Sequence, residues 1–295
     1  MKNRKYDHNL TPEQEKELFS RLELPYSRSK EEVWISLEKA MAEKHDSTKS
    51  VRSGSAKTIS VNWFARSAAA AIVLLLGVGL FARFYSTSVS VAAGEFASET
   101  LPDGSVVHLN AESAISFAPY WWFIQREVKL DGEAFFEVTR GSKFSVHSDQ
   151  GTTTVLGTSF NIYARGDDYE VFCATGKVRV SGEATNPVIL EPGDFVALDY
   201  AGQVQSKINK AETTVLSWRL NKFTYNTTPL TKVIEDLQRQ YGIKINPQIE
   251  NIDQYHYTGL FQRSVTAEEA LEIICLSFGL TFEKASESTY IITDH

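Results

Sequence analysis

Residues 67 to 82 read SAAAAIVLLLGVGLFA, sixteen residues without a charge, closed by Arg66 on one side and Arg83 on the other. As a helix, sixteen residues rise about 24 Å, short of a hydrocarbon core of about 30 Å. Trp63, Phe64, Phe84 and Tyr85 supply the difference as aromatic flanks, and the two arginines can carry their guanidinium groups to the headgroups. Counted from Trp63 to Tyr85, the segment spans. It is apolar on every face, so a one-sided core helix of a soluble domain is the poorer reading. More than sixty residues precede it, which argues against an ordinary signal peptide.

Charge gives the expected orientation. Lys49, Arg52, Lys57 and Arg66 precede the span with no acid among them, whereas Glu95, Glu99 and Asp103 follow Arg83. Up to residue 66 there are 13 basic and 10 acidic side chains, and beyond it 17 and 27, within a chain of net charge −7. The positive-inside rule predicts a cytoplasmic N-terminus and an exported C-terminus. Gly77 and Gly79 soften the outer half of the span, which suits a helix that is cut within the bilayer.

The segment before the span predicts two short helices and a tether. Thr11, Pro12 and Gln14 form a helix start, Leu18, Phe19 and Leu22 an apolar patch, and Pro25 a stop. Ser29 and Glu32 open a second helix on which Trp34, Leu37 and Met41 share a face. Helices this short bury little area. They are read either as a self-sufficient hairpin or as a segment that orders in the groove of a cytosolic partner. Acids alternate with bases, so no direct nucleic-acid contact is expected.

Beyond the span the hydrophobic period becomes two. GSVVHLN (104–110), REVKLDGEAFFEV (126–138), FSVHS (144–148), TTTVLGTSFNIYA (152–164), YEVFCATGKVRV (169–180) and GDFVALD (193–199) read as strands. Turn signals set them off, Asp131-Gly132 and Gly166-Asp167 among them. Regular short strands without helices predict a sandwich or barrel. From residue 216 the order is β-α-β-β-α-β. Thr228 and Pro229 are read as opening one helix and Thr266 with Glu269 as capping the other, with Gly242 and Gly279 as their stops.

The expected architecture is a multidomain membrane protein: short N-terminal α-helices over 1–62, a transmembrane helix over 63–85, an all-β domain over 95–205 and an α+β (βαββαβ) domain over 216–295. Cys173 and Cys275 are the only cysteines, and both are expected to be core residues. The six histidines show no ligand spacing, so neither metal nor cofactor is indicated. There is no G-x-S-x-G elbow, phosphate-cradling loop or H-E-x-x-H, which favours a binding or signalling protein over an enzyme.

Several stretches carry a family resemblance. They are Leu101-Pro102-Asp103-Gly104-Ser105, Leu109-Asn110, Arg126-Glu127-Val128, Gly132 to Val138, Val155 to Ile162, Gly176-Lys177-Val178, Leu190 to Gly193, and Trp218. With these the chain resembles the FecR-type transmembrane anti-sigma factors, in particular their Bacteroidetes branch. Phe223, Pro229-Leu230 and Tyr241 make the last eighty residues similar to the small secretin/TonB short N-terminal-like domain.

The resemblance implies a cytoplasmic extracytoplasmic-function sigma factor as one partner, held through Leu18, Phe19, Leu22, Trp34, Leu37 and Met41. The other partner it implies is the periplasmic signalling domain of a TonB-dependent outer-membrane receptor, with regulated proteolysis as the output at the inner membrane. Some members of the family cleave themselves at a Gly-Thr bond, which here falls on Gly157-Thr158. The reading that the residues favour by themselves is a glycine bend between two strands followed by a strand-forming threonine. The competing reading of the whole chain is a membrane-anchored structural or binding component of a periplasmic secretion or glycan-uptake assembly.

Overall fold

The computed structural model describes residues 12–13, 16–17, 29–46, 63–182, 186–199 and 201–294. The chain divides into two units, residues 1–66 and 67–295. In the first, Ser29 caps α1 (Lys30–Asp46) through a capping box. Glu32 N donates to Ser29 Oγ at 3.4 Å, and Ser29 N donates to Glu32 Oε2 at 3.3 Å. Helix α2 (Trp63–Phe84) runs on into the second unit. Its 22 residues rise about 33 Å, and the large apolar side chains from Ile72 to Phe81 are exposed, as a lipid-facing helix requires.

The β region of the second unit holds β1 (Thr87–Val91), β2 (Ala97–Thr100), β3 (Val106–Leu109), β4 (Ser113–Phe117), β5 (Arg126–Glu137), β6 (Phe144–His147), β7 (Thr152–Val155), β8 (Ser159–Arg165), β9 (Asp168–Cys173), β10 (Val178–Ser181), β11 (Val188–Leu190), β12 (Asp194–Leu198) and β13 (Val204–Asn209). Strand β5 organises them. Its first half pairs with β4 and, in parallel, with β6; its second half pairs with β3 and β8. One bent strand thus serves two sheets, one running out to β11 and the other to β13.

Asp131-Gly132 is therefore not a turn between strands, as the dipeptide suggested, but the corner inside β5. Gly132 sits at φ +105°, and a Cβ there would lie 2.6 Å from Ser113 Oγ and 2.7 Å from Ser113 Cα. Only glycine allows the two strands to approach so closely.

Between the sheets lies a core that includes Val107, Leu130, Phe136, Phe144, Phe160 and Val171, with Phe136 stacked on Phe160 at 5.1 Å. A second apolar layer covers the other face. Phe135, Phe172 and Phe195 pack with Leu216, beside the short helix α3 (Glu212–Val215) and the 3-10 turn Ser217–Leu220. Burial on both faces explains why Ala134-Phe135-Phe136 breaks the alternation expected of a half-exposed strand.

The C-terminal region contains β14 (Lys222–Pro229), α4 (Leu230–Tyr241), β15 (Lys244–Gln248), β16 (His256–Gln262), α5 (Ala267–Phe278), β17 (Thr281–Ser286) and β18 (Thr289–Thr293). Strands β14 and β16 form one ribbon, and β15-β18-β17 a second sheet. Leu230, Val233, Ile234 and Leu237 of α4 meet Leu271 and Ile274 of α5 in a shared core. Thr266 and Glu269 form a complete capping box, and Gly242 and Gly279 end the helices in the left-handed region. Thr228 does not cap α4. It pairs with Tyr257 in β14, and Pro229 occupies the N-cap position without a side-chain bond. A bulge between Tyr225 and Thr228 carries the strand on to the helix.

Candidate functional site

Five of the family-like stretches, scattered along the sequence, contribute to two polar clusters. The first lies in the sandwich. Arg126, buried at the start of β5, donates through Nε to Asp103 Oδ2 at 2.7 Å and through Nη2 to the same carboxylate. Its remaining donors reach Ser142 O at 2.7 Å and Thr139 O at 2.8 Å. Ser105 Oγ donates to Asp103 and accepts from Thr139 N. Burial pushes the Asp103 carboxyl up, but the Ser105 and Arg126 hydrogen bonds outweigh it and hold the group below the usual carboxylate range. The Leu101–Ser105 turn and Arg126-Glu127-Val128 are therefore one staple, which fixes the bend of the chain around β5.

The second cluster joins the sandwich to the C-terminal region. Gln240, buried on α4, donates to Asn110 Oδ1 at 2.8 Å. Asn110 donates to Glu133 Oε2 at 2.7 Å, and Asn161 donates to Glu133 Oε1 at 2.9 Å. Asn161 Oδ1 is buried and has no partner among the described residues. Burial pushes the Glu133 carboxyl up to about 7, against the two amide hydrogen bonds and the Arg165 charge. Facing it, Asp236 accepts from Tyr225 Oη at 2.8 Å and is also raised by burial.

The frame is closed by main-chain contacts. Arg165 donates to Ala111 O and Glu112 O; Arg263 donates to Gly94 O at 2.7 Å and Gln240 O at 3.0 Å; Gly94 N donates to Arg239 O at 2.8 Å. The Phe96 ring has Trp218 stacked at 6.1 Å and the Arg263 guanidinium 3.8 Å from its centre. Beside this seam is a cleft of about 640 Å³, lined by Glu133, Glu170, Lys210, Lys232, Asp236 and Arg239 with Phe172 and Phe195. Two of its carboxylates are held by hydrogen bonds, Asp236 from Tyr225 and Glu133 from Asn110 and Asn161, and Asn110 in turn joins the sandwich to Gln240 of the C-terminal region.

Of the residues expected to meet a sigma factor, Trp34, Leu37 and Met41 stand on α1 with 71%, 49% and 66% of their surfaces exposed. Leu18, Phe19 and Leu22 lie outside the described residues. Gly157 and Thr158 connect β7 to β8. A Cβ on Gly157 would lie 2.6 Å from Arg140 Cα, and the buried Thr158 Oγ1 has no hydrogen-bond partner among the described residues. Cys173 and Cys275 are both free thiols and buried. The Glu133 seam was missed as a site in the sequence. Asn110, Glu133 and Asn161 belong to the family-like stretches, but nothing in their spacing links them to Asp236 or Gln240.

Comparisons with known proteins bear on the two regions that follow α2. The model for the FecR protein family matches residues 87–179, and that for the FecR C-terminal region matches residues 222–292. Two crystal structures of candidate anti-sigma factors from Parabacteroides distasonis superpose with TM-scores of 0.66 and 0.65 at 31% identity. They cover 72% and 71% of this chain and 100% and 99% of their own. No curated protein matches. On the sequence likeness together with the shared fold, the chain belongs to the FecR-type anti-sigma factors.

Proposed function

We propose that the protein is a single-pass inner-membrane anti-sigma factor with a cytoplasmic N-terminus. It relays a signal from a TonB-dependent outer-membrane receptor to an extracytoplasmic-function sigma factor. The observation that carries this reading is the capped helix α1, which leaves Trp34, Ile35, Leu37 and Met41 exposed on the N-terminal side of a lipid-length helix. Apolar side chains of this size uncovered on one short helix fit a helix-in-groove contact. Beyond α2 in the chain, strand β16 pairs only with β14 among the described residues and exposes Leu260, which suits strand addition by a receptor's signalling domain.

The deciding experiment is co-purification of residues 1–62 with a sigma factor encoded in the same genome. Capture that is lost in Trp34→Ala with Leu37→Ala supports the proposal. Failure to bind any such sigma factor refutes it and favours an assembly role.

Gly157-Thr158 is the proposed self-cleavage point. Thr158 Oγ would attack the Gly157 carbonyl carbon, the C–N bond would break to leave an ester and a free Thr158 amine, and water would then open the ester to a Gly157 carboxylate. The unpartnered Thr158 hydroxyl supports this reading, while the contact with Arg140 requires glycine for packing alone. Two fragments divided after residue 157, absent in Thr158→Ala, would support cleavage. A single full-length species in cells would leave Gly157 a bend.

A further inference from the structure

The connection from β4 to β5 runs through Pro119-Tyr120-Trp121-Trp122-Phe123-Ile124-Gln125, seven residues without a charge. Surface connections are ordinarily polar, because water must satisfy their backbone. Here the backbone turns back on itself instead. Trp121 N donates to Ala118 O at 3.2 Å, Ile124 N to Trp121 O at 2.9 Å and Gln125 N to Trp121 O at 3.1 Å; Trp121 Nε1 donates to Gln125 Oε1 at 3.2 Å.

One side chain pins the loop. Trp122 is buried, edge-on to Phe117 at 5.7 Å and to Phe144 at 5.8 Å, and the stapled Arg126 follows it. With Trp122 turned inward, its neighbours are driven out: Phe123 is 90% exposed, and Tyr120 and Ile124 are exposed beside it. Such a fixed display of apolar side chains marks a contact surface.

Its position says what covers it. The Tyr120 ring lies 5.2 Å from Tyr85 and 6.1 Å from Phe81, and the Arg83 guanidinium lies 5.9 Å from the Trp121 ring centre. Phe81 and Arg83 lie in the last turn of α2 and Tyr85 directly follows it, where a spanning helix passes from hydrocarbon to headgroups. The loop therefore continues the lipid-facing surface of that helix.

We propose that residues 119–125 are a second membrane contact, an aromatic foot seated in the phospholipid interface beside α2. Tyr120 and Trp121 match the headgroup level, Phe123 and Ile124 reach into the acyl boundary, and the locally closed hydrogen bonds keep the backbone cost of insertion low. The foot fixes the tilt of the sandwich against the bilayer, so a pull on the exported part acts on the outer end of α2. This inference rests on the reading of α2 as a spanning helix.

The test uses the full-length chain in phosphatidylethanolamine/phosphatidylglycerol vesicles doped with spin-labelled phosphatidylcholine. A polarity-sensitive fluorophore is attached in turn to Phe123→Cys, Leu75→Cys and Leu260→Cys; the two native cysteines are buried and label poorly. The expected result is quenching at position 123 by a label near the glycerol, quenching at 75 by a label deep in the chains, and several-fold weaker quenching at 260. Quenching at 75 without quenching at 123 overturns the foot and leaves the span standing. Quenching at neither overturns both. A change at 123 that follows protein density instead of spin label assigns the loop to a second copy, and also overturns the proposal.

Discussion

Glu133→Gln removes a charge that the fold holds at a cost. The Glu133 carboxyl is raised from an ordinary 4.5 to about 7, chiefly by burial. A raised folded value means that Glu133 favours the folded state fully below pH 4.5, and that this contribution is lost as the pH climbs to about 7. At about 1.4 kcal/mol per pH unit, the loss has a ceiling of roughly 3 to 4 kcal/mol. Glu133 also lines the cleft, and water there screens part of it, leaving about 2 kcal/mol.

Glutamine is isosteric, and a flip of Asn161 would let its unpartnered Oδ1 accept from the new amide. For a folded part of some 210 residues, about 2 kcal/mol corresponds to roughly 4 to 8 °C in Tm. Calorimetry on residues 86–295 should show the variant more stable than the parent by that amount at pH 8 and nearly equal to it at pH 5. Asp103 does not interfere, since its lowered value places its own loss of stability in more acid solution. An equal shift at pH 5 and pH 8 would refute the reasoning, because the gain would then owe nothing to the charge.

Arg126→Ala should destabilise by about 3 to 5 kcal/mol and lower Tm by roughly 10 °C, because it removes the buried guanidinium that ties Asp103, Ser142 and Thr139 together and leaves the half-buried Asp103 carboxylate without its cation. Arg126→Lys should recover little, since an ammonium cannot reach Asp103, Ser142 and Thr139 together; urea unfolding measures both. Gly132→Ala should cost about 2 to 4 kcal/mol through its φ and the clash with Ser113, against about 1 to 2 for Gly166→Ala, where nothing lies within 4 Å; the difference in Tm between the two variants tests the corner. Gln240→Ala and Asn110→Ala should show a coupling of about 0.5 to 1.5 kcal/mol in a double-mutant cycle, read as the stability of the seam.

The sequence by itself determined the local elements. The lipid-length run, the capping boxes at Ser29 and Thr266, the glycine stops at 242 and 279, and most strands of period two follow from solvation and backbone geometry within a few residues. Strands β1, β2, β4, β11 and β13 were not legible, being short or rich in Ser, Thr and charge, and held in place by their neighbours. Only tertiary structure decided that Asp131-Gly132 bends a strand shared by two sheets, because a glycine at φ +105° and a glycine in a turn leave the same trace in sequence. Only tertiary structure brought Asn110, Glu133 and Asn161 to Gln240 and Asp236, or set Tyr120 beside Tyr85. Those contacts join residues far apart in the chain, and their energies depend on burial, which no local pattern encodes.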